Sequence, residues 1–276
     1  MTVLNIGHIH YINCVPFFHF LPATLEGHAV RVVQGVPSRL NAMLHEGDID
    51  VSPSSSFEYA RNWRQYLLLP EHSISSFGDV QSVLLFSTRN LEDLKEEVFY
   101  LTGESATSIN LLQVLLREYL GCENFRSTVP DRPVEELIAE GKTALLIGDR
   151  ALRAARNRIE GQQIYDLGGL WKRFTGLPFV FALWILRRDA AEKKGEALRA
   201  LRRQLAQSRQ QAMENLAELA AETPEKEWMG EEGLVDYWQC MSYDLGEEHL
   251  RGVRHFFHLC AKYGLLPEEP EIHFFE

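Results

Sequence analysis

Two short stretches combine residue types and setting suited to chemistry. Gly103-Glu104-Ser105-Ala106-Thr107-Ser108 and Leu145-Leu146-Ile147-Gly148-Asp149 each read as the carboxyl end of a buried strand handing over to a helix. Their Gly, Ser, Thr and Asp residues turn tightly and offer hydroxyls or free N–H groups, and open α/β sheets place their ligands at such ends. Ser54-Ser55-Ser56, ahead of a helix expected to begin near Phe57 or Glu58, is a third candidate. Serine is a favoured N-cap, and a cluster of it makes a seat for an anion. Asn13 directly follows the first strand in Tyr11-Ile12-Asn13-Cys14-Val15-Pro16. Taken alone, its expected role is an Asx-turn or a helix cap. Gly148-Asp149 carries the same double reading, a strand-end turn with Asp as cap or a ligand contact.

Other chemistries find less support. His8 and His10 are two apart on or just past a strand and can point the same way, while His255 and His258 stand at i and i+3 on a helical stretch. Neither pair has a third ligand close in sequence, so no metal site is expected. The serine cluster lacks a G-x-S-x-G elbow, which disfavours a nucleophilic serine. Gly7 is isolated and Gly168-Gly169 is a lone pair, so no phosphate loop or dinucleotide fingerprint exists and no cofactor is expected.

The elements that must position these residues read as two α/β units. Strands are expected over residues 3–9 and 29–34, with an amphipathic helix over 37–46 whose Leu40, Met43 and Leu44 share a face. Residues 47–53 form a short strand, and residues 67–69 and 81–87 two more. The pattern then restarts with strands over 98–101, 125–129 and 143–147, separated by helices over 107–120 and 134–140. The aromatic and β-branched run over 176–186 suits a strand that carries the chain back to the first lobe. Residues 189–222 are strongly helical, followed by helical stretches at 224–229, 233–243 and 247–263. The expected lobes are residues 1–88 with 184–276, and 89–183. Two crossovers between them, near 88–91 and 178–183, would hinge over a central ligand cleft.

Composition narrows the partners. With 28 Lys and Arg against 39 Asp and Glu, the net charge of -11 argues against a nucleic-acid groove. Cys14, Cys122, Cys240 and Cys260 are widely spaced and read as reduced, mostly buried thiols, as in a cytosolic protein. The N-terminal residues show no signal-peptide pattern, and no run reaches the roughly 18 apolar residues of a membrane span. A cytoplasmic location and no membrane partner are expected; the oligomeric state is not legible.

Taken together, the segments resemble the chorismate dehydratases of the futalosine route to menaquinone, which share the type II periplasmic-binding-protein fold. The resemblance rests on Tyr11-Ile12-Asn13 with Pro16; Gly35-Val36-Pro37; Gly47 to Val51 followed by Ser55-Ser56-Phe57-Glu58-Tyr59-Ala60; Ser82 to Ser87; Ser105-Ala106-Thr107-Ser108; Leu146-Ile147-Gly148-Asp149; and Tyr165-Asp166-Leu167-Gly168 through Trp171 to Ala182. It covers about residues 3–186. Gln81 stands where the family has a glycine, and Ser54 where an aliphatic residue is usual.

The resemblance implies a two-lobed α/β fold with a central ligand cleft and C-terminal helices, and a lyase that removes water from chorismate to give 3-[(1-carboxyvinyl)oxy]benzoate without a cofactor. It implies Asn13 as the catalytic residue and Tyr11, Ser55, Ser56, Ser82, Ser105, Ala106, Thr107, Ser108, Gly148 and Asp149 as substrate-binding residues. An amide cannot act as a base, so the proton acceptor is either the substrate's own enolpyruvyl carboxylate or a histidine, His8 or His10. Other readings on the same fold are a non-catalytic small-carboxylate receptor, the effector-binding part of a cytosolic regulator, and the 1,4-dihydroxy-6-naphthoate synthase of the same pathway.

Overall fold

Buried Leu4, Ile6, Gly7 and Ile9, with half-buried Asn5 and His8 between them, make β1 (Leu4–Ile9), the strand that leads into Asn13. In this computed structural model, which describes residues 3–276, the chain then lays down β2 (Thr24–Leu25), β3 (His28–Gly35), β4 (Val51–Ser55) and β5 (Tyr66–Ser76). There follow β6 (Val83–Ser87), β7 (Val98–Leu101), β8 (Arg126–Thr128), β9 (Ala144–Ile147) and β10 (Gln163–Asp166), and finally β11 (Phe179–Arg187) and β12 (Met241–Leu245). One sheet has the order β12-β5-β11-β4-β1-β3-β2 and the other β10-β6-β9-β7-β8.

The chain packs as two units. One comprises the residues up to Ser75 with Val180–Glu247 and Pro270–Glu276; the other comprises Ser76–Phe179 and Glu248–Glu269. The boundaries expected at 88/89 and 183/184 lie thirteen and four residues beyond these crossings, and residues 248–269, expected with the first lobe, pack in the second unit.

In the first unit β1 runs parallel to β3 and to β4, with Ile6 opposite Val51, while β11 is antiparallel to β4, with Ala182 opposite Ser55. The C-terminal ends of β1 and β4 therefore lie along the same edge of the sheet. As a central strand β11 is buried on both faces, which accounts for its unbroken apolar run; Leu183, Trp184 and Ile185 are fully buried. The helix Pro37–Glu46 buries Leu40 and Leu44 and stops at Gly47, whose φ of 90° is a left-handed cap that glycine adopts freely. Lys194 Nζ, 2.6 Å from Asp50 Oδ2, fastens the long helix Arg188–Glu214 to the chain just before β4.

In the second unit β6 is antiparallel to both β9 and β10, and β7 is parallel to β8 and β9. The C-terminal ends of β7, β9 and β10 and the start of β6 consequently share one edge. Leu84, Phe86 and Leu146 of these strands pack with Val134, Ile138 and Ala151 of the covering helices.

Two helical expectations are corrected. The helix expected over 233–243 ends at Cys240, and Met241–Leu245 instead joins the sheet beside β5 as β12. The long helix expected over 189–222 is kinked at Lys194 and interrupted at Asn215.

Candidate active site

At the end of β1 the backbone stays extended through Tyr11 and then makes one 3-10 turn, Ile12–Cys14, followed by a helical turn, Val15–Phe18. The residues capping these turns are Tyr11 and Cys14, and neither makes a side-chain cap bond. Asn13 thus lies inside the turn, which corrects its reading as a cap. Its Oδ1 is buried and has no hydrogen-bond partner. The turn itself is held from two sides: Trp238 Nε1 donates to Ile12 O at 3.0 Å, and Ser208 Oγ donates to Phe17 O at 2.8 Å. A buried acceptor left unpaired costs roughly 1–3 kcal/mol unless something else satisfies it.

On the adjacent end of β4, Ser55 caps the helix Ser56–Asn62 by accepting a bond from Glu58 N at 3.3 Å. Ser56 opens that helix and is fully buried. Ser54, the first serine of the cluster, is also fully buried, and its Oγ has no partner. The buried carboxylate of Glu58 is neutralised by Arg61 and accepts bonds from Asn62 Nδ2 at 2.7 Å and Tyr66 Oη at 3.2 Å.

The corresponding edge of the five-stranded sheet carries three turns. Ser105 caps the helix Ala106–Leu120, its Oγ accepting from Ser108 N at 3.3 Å and lying 3.2 Å from Ser108 Oγ. Thr107 and Ser108 are buried on its first turn. Just before them Thr102 has a buried, unpartnered Oγ1. The second turn is Gly148-Asp149: Gly148 adopts φ 60° and donates its N–H to Ser82 O at 2.7 Å. Its helix, Gly148–Arg156, is capped by Ile147, so Asp149 is in the first turn and not the cap. Arg150 links this helix to the preceding turn, 3.0 Å from Glu104, and also holds Glu135 at 2.6 Å.

The third turn precedes β6. Asp166 caps the helix Leu167–Thr175 through Gly169 N at 3.1 Å, and it also accepts from Val80 N at 3.0 Å and Gln81 N at 2.6 Å. Burial pushes its carboxyl up to about 6, with the neighbouring Asp79 adding to the rise and the N–H bonds opposing it. Gln81 is held at φ 60°, the left-handed region where a glycine would be unstrained. Ser82 follows, nearly fully buried, its Oγ donating to Val80 O at 3.3 Å.

Tyr11, Asn13, Ser55 and Ser56 therefore gather along one edge of the first sheet, and Ser82, Ser105, Ala106, Thr107, Ser108, Gly148 and Asp149 along one edge of the second. Sequence reasoning offered Ser54 only as part of its serine cluster and missed Thr102 and the clamp made by Asp166. The last left a signal, an aspartate two residues ahead of Gly168-Gly169 and at the head of a helical run.

The histidines separate from this picture. His8 is stacked on Phe18, ring centroids 3.9 Å apart, and burial, helped by His10, pushes it down to about 4. The His8 and His10 rings are 6.3 Å apart, and among the described residues no three His, Cys, Asp or Glu side chains converge as metal ligands. His255 meets Tyr119 Oη at 3.2 Å, and His258 Nδ1 meets Glu269 at 3.1 Å.

Comparison with known proteins agrees with this architecture. A family profile described as menaquinone biosynthesis matches residues 4–262. A chorismate dehydratase of Thermus thermophilus is 36% identical over 215 residues, covering 72% of this chain and 76% of that protein. Among solved structures, a protein of Archaeoglobus fulgidus superposes with a TM-score of 0.73 at 18% identity, covering 96% of this chain and 98% of the other. The periplasmic aliphatic sulphonate binding protein of Escherichia coli gives 0.65 at 16% identity, covering 98% and 90%. The chain has the α/β fold of the periplasmic binding proteins and belongs to the menaquinone-biosynthesis family.

Proposed function

We propose that this protein is a chorismate dehydratase, eliminating water from chorismate to give 3-[(1-carboxyvinyl)oxy]benzoate in menaquinone biosynthesis. The ring C–H at the ether-bearing carbon is vinylogous to the ring carboxylate. Its removal gives a delocalised dienolate that expels the adjacent hydroxyl and becomes aromatic. Such a reaction asks the protein for orientation and anion stabilisation more than for covalent help.

The observation that carries the reading is Asn13. Its amide serves no cap, and its Oδ1 is buried without a partner. An Asn side chain offers one acceptor and two donors, which suit a departing hydroxyl and an adjacent carboxylate. Ser55, Ser56, Ser82, Thr107 and Ser108 are assigned to the two carboxylates, with Tyr11, Ser105, Ala106, Gly148 and Asp149 completing the contacts. Proton removal is assigned to the substrate's enolpyruvyl carboxylate. Of the protein alternatives, His8 and His10, the first is a weak base at about 4, and its ring is occupied in stacking on Phe18.

No helix among the described residues is long and apolar enough to cross a membrane, and the four cysteines are free thiols. Free thiols suit a reducing compartment, and the cytoplasm is the proposed place of action. The test is incubation of purified, metal-free protein with chorismate, followed by chromatography and mass spectrometry of the product. Formation of the enolpyruvyl-ether benzoate supports the assignment. Unchanged chorismate sinks it, and activity abolished by chelation and restored by a divalent metal overturns the cofactor-free route.

A further inference from the structure

The carboxylate of Asp166 does more than cap a helix. One side chain accepts the N–H groups of Gly169, Val80 and Gln81, and so joins the start of the helix Leu167–Thr175 to the turn that leads into Ser82. The approach is tight on both sides. A methyl group added at Gly168 would come within 2.5 Å of Gly78 O and 2.8 Å of Ser76 Oγ, so helix and turn leave room only for a glycine there. The turn is also strained, since Gln81 occupies the left-handed region without being a glycine. Strain of this kind persists only where neighbouring contacts over-determine the backbone. The N–H bonds at Val80 and Gln81 supply that determination. Downstream, Ser82 is tied to the Gly148 turn by its carbonyl, and its hydroxyl, which donates to Val80 O over a long 3.3 Å, turns from that bond to give its one proton to a carboxylate.

We propose that Asp166 is a positioning residue for the substrate-binding hydroxyl of Ser82, holding the Val80-Gln81-Ser82 turn in its strained form through its backbone N–H groups. This rests on the reading of Ser82 as a carboxylate contact. Nothing in the proposal makes Asp166 touch substrate; it acts through the turn. Asp79, on the same turn, is the charged neighbour that bears on it. With the carboxyl at about 6, acidification below that value converts an acceptor-only group into one that presents a proton to N–H donors, and the hold on the turn weakens.

The experiment compares wild type with Asp166→Asn, Ser82→Ala and the double variant, measuring chorismate kcat, KM and thermal melting at pH 7.5. Asp166→Asn retains a cap-competent side chain, so the helix keeps its start. Its expected effect is a KM raised by about tenfold or more at temperatures well below melting. In the Ser82→Ala background the same change should shift KM by less than about twofold, because the group it acts through is gone. A lower melting temperature with unchanged KM, or effects that multiply independently in the double variant, would overturn the proposal. Should Asp166→Asn fail to fold, Asp166→Ser, which caps Gly169 but is too short to bridge to both turn N–H groups, takes its place with the same outcomes.

Hydrogen exchange without substrate separates this inference from the functional reading. Faster exchange at Val80, Gln81 and Ser82 in the variant supports the clamp, and unchanged exchange there overturns it. Wild-type protein that leaves chorismate intact would overturn the functional reading and the catalytic sense of the inference together, while exchange would still decide the clamp.

Discussion

The ends of β1 and of β6, β7 and β9 present polar groups in different ways. After β1, Asn13 sits in a turn whose shape is set by Trp238 and Ser208, so folding leaves its own Oδ1 unpaired. In the second unit Ser105 and Asp166 accept backbone N–H groups, Gly148 donates to Ser82 O, and Arg150 holds Glu104 and Glu135, tying three turns into one frame. Thr102 Oγ1, just after β7, stays unpaired beside that frame. Under the proposed function the contrast corresponds to different tasks: a group held ready by others at Asn13, and a rigid anion frame in the second unit. Preorganised donors of the second kind lower a barrier because they need not reorient as charge develops.

The sharpest way to break that contrast is Asn13→Asp. A capping residue would tolerate the change, because Asp caps about as well as Asn. A substrate contact would not, since the change removes a donor and sets a negative charge against a dianion. Chorismate turnover should fall by about two to three orders of magnitude, with melting temperature little altered. Asn13→Ala should retain more substrate binding than the Asp variant. Near-wild-type turnover in Asn13→Asp would return Asn13 to a structural role.

Next in size is the frame. Thr107→Ala and Ser108→Ala should each weaken chorismate binding by about 10- to 100-fold while the fold persists, the usual worth of a hydrogen bond to a charged group. Calorimetric titration gives the answer directly; unchanged affinity in both variants would remove the start of the helix Ala106–Leu120 from the site.

Acid should also distinguish the units. His72, in the first unit, is fully buried, with Nε2 at 3.2 Å from Arg202 O and Nδ1 without a partner, and burial pushes it down to about 4. His8 shares that direction. A histidine whose folded value lies below its unfolded one contributes stability above the unfolded value, and this is lost as pH falls from about 6.5 towards 4. Asp166, pushed up to about 6, has the opposite sign: the native state takes its proton first, so this group becomes less destabilising as pH falls from about 6 to 4. His255 in the second unit is lowered too, but is only part-buried. Exchange protection in β1 and β5 should therefore decline at pH 5 before that in β6 and β9, and His72→Leu should flatten the acid limb of the melting curve. Simultaneous loss of protection in both units would refute the ordering.

The smallest effect concerns the strained turn. Gln81→Gly relieves a positive φ but adds freedom to the unfolded chain, so a gain of ~0.5–1 kcal/mol is expected in denaturant melts. A loss of stability would mean that the Gln81 side chain contributes contacts that outweigh the strain.

Where the chain's own periodicity sufficed, expectation and structure agree. The helix expected over 37–46 is Pro37–Glu46, and that over 107–120 is Ala106–Leu120 with Ser105 as its cap. The candidate site residues with a local signature, Ser55 and Ser105, take the capping positions that serine ahead of a helix suggests. Met241, Tyr243 and Leu245 are buried and alternate with Ser242 and Asp244, a period of two that pointed to β12 and was overridden by the helical stretches on either side.

Spacing along the chain determined the strand-end turns, the helix starts and the family to which the chain belongs, because those depend on residues a few positions apart. Tertiary structure alone decided that Met241–Leu245 pairs beside β5, that Glu248–Glu269 packs with the second unit, and that Asp166 reaches back over more than eighty residues to Gln81. It also decided that Asn13 caps nothing. Whether a polar atom is satisfied depends on which distant groups arrive beside it, here Trp238 and Ser208 on the neighbouring backbone carbonyls, and local sequence carries no record of that arrival.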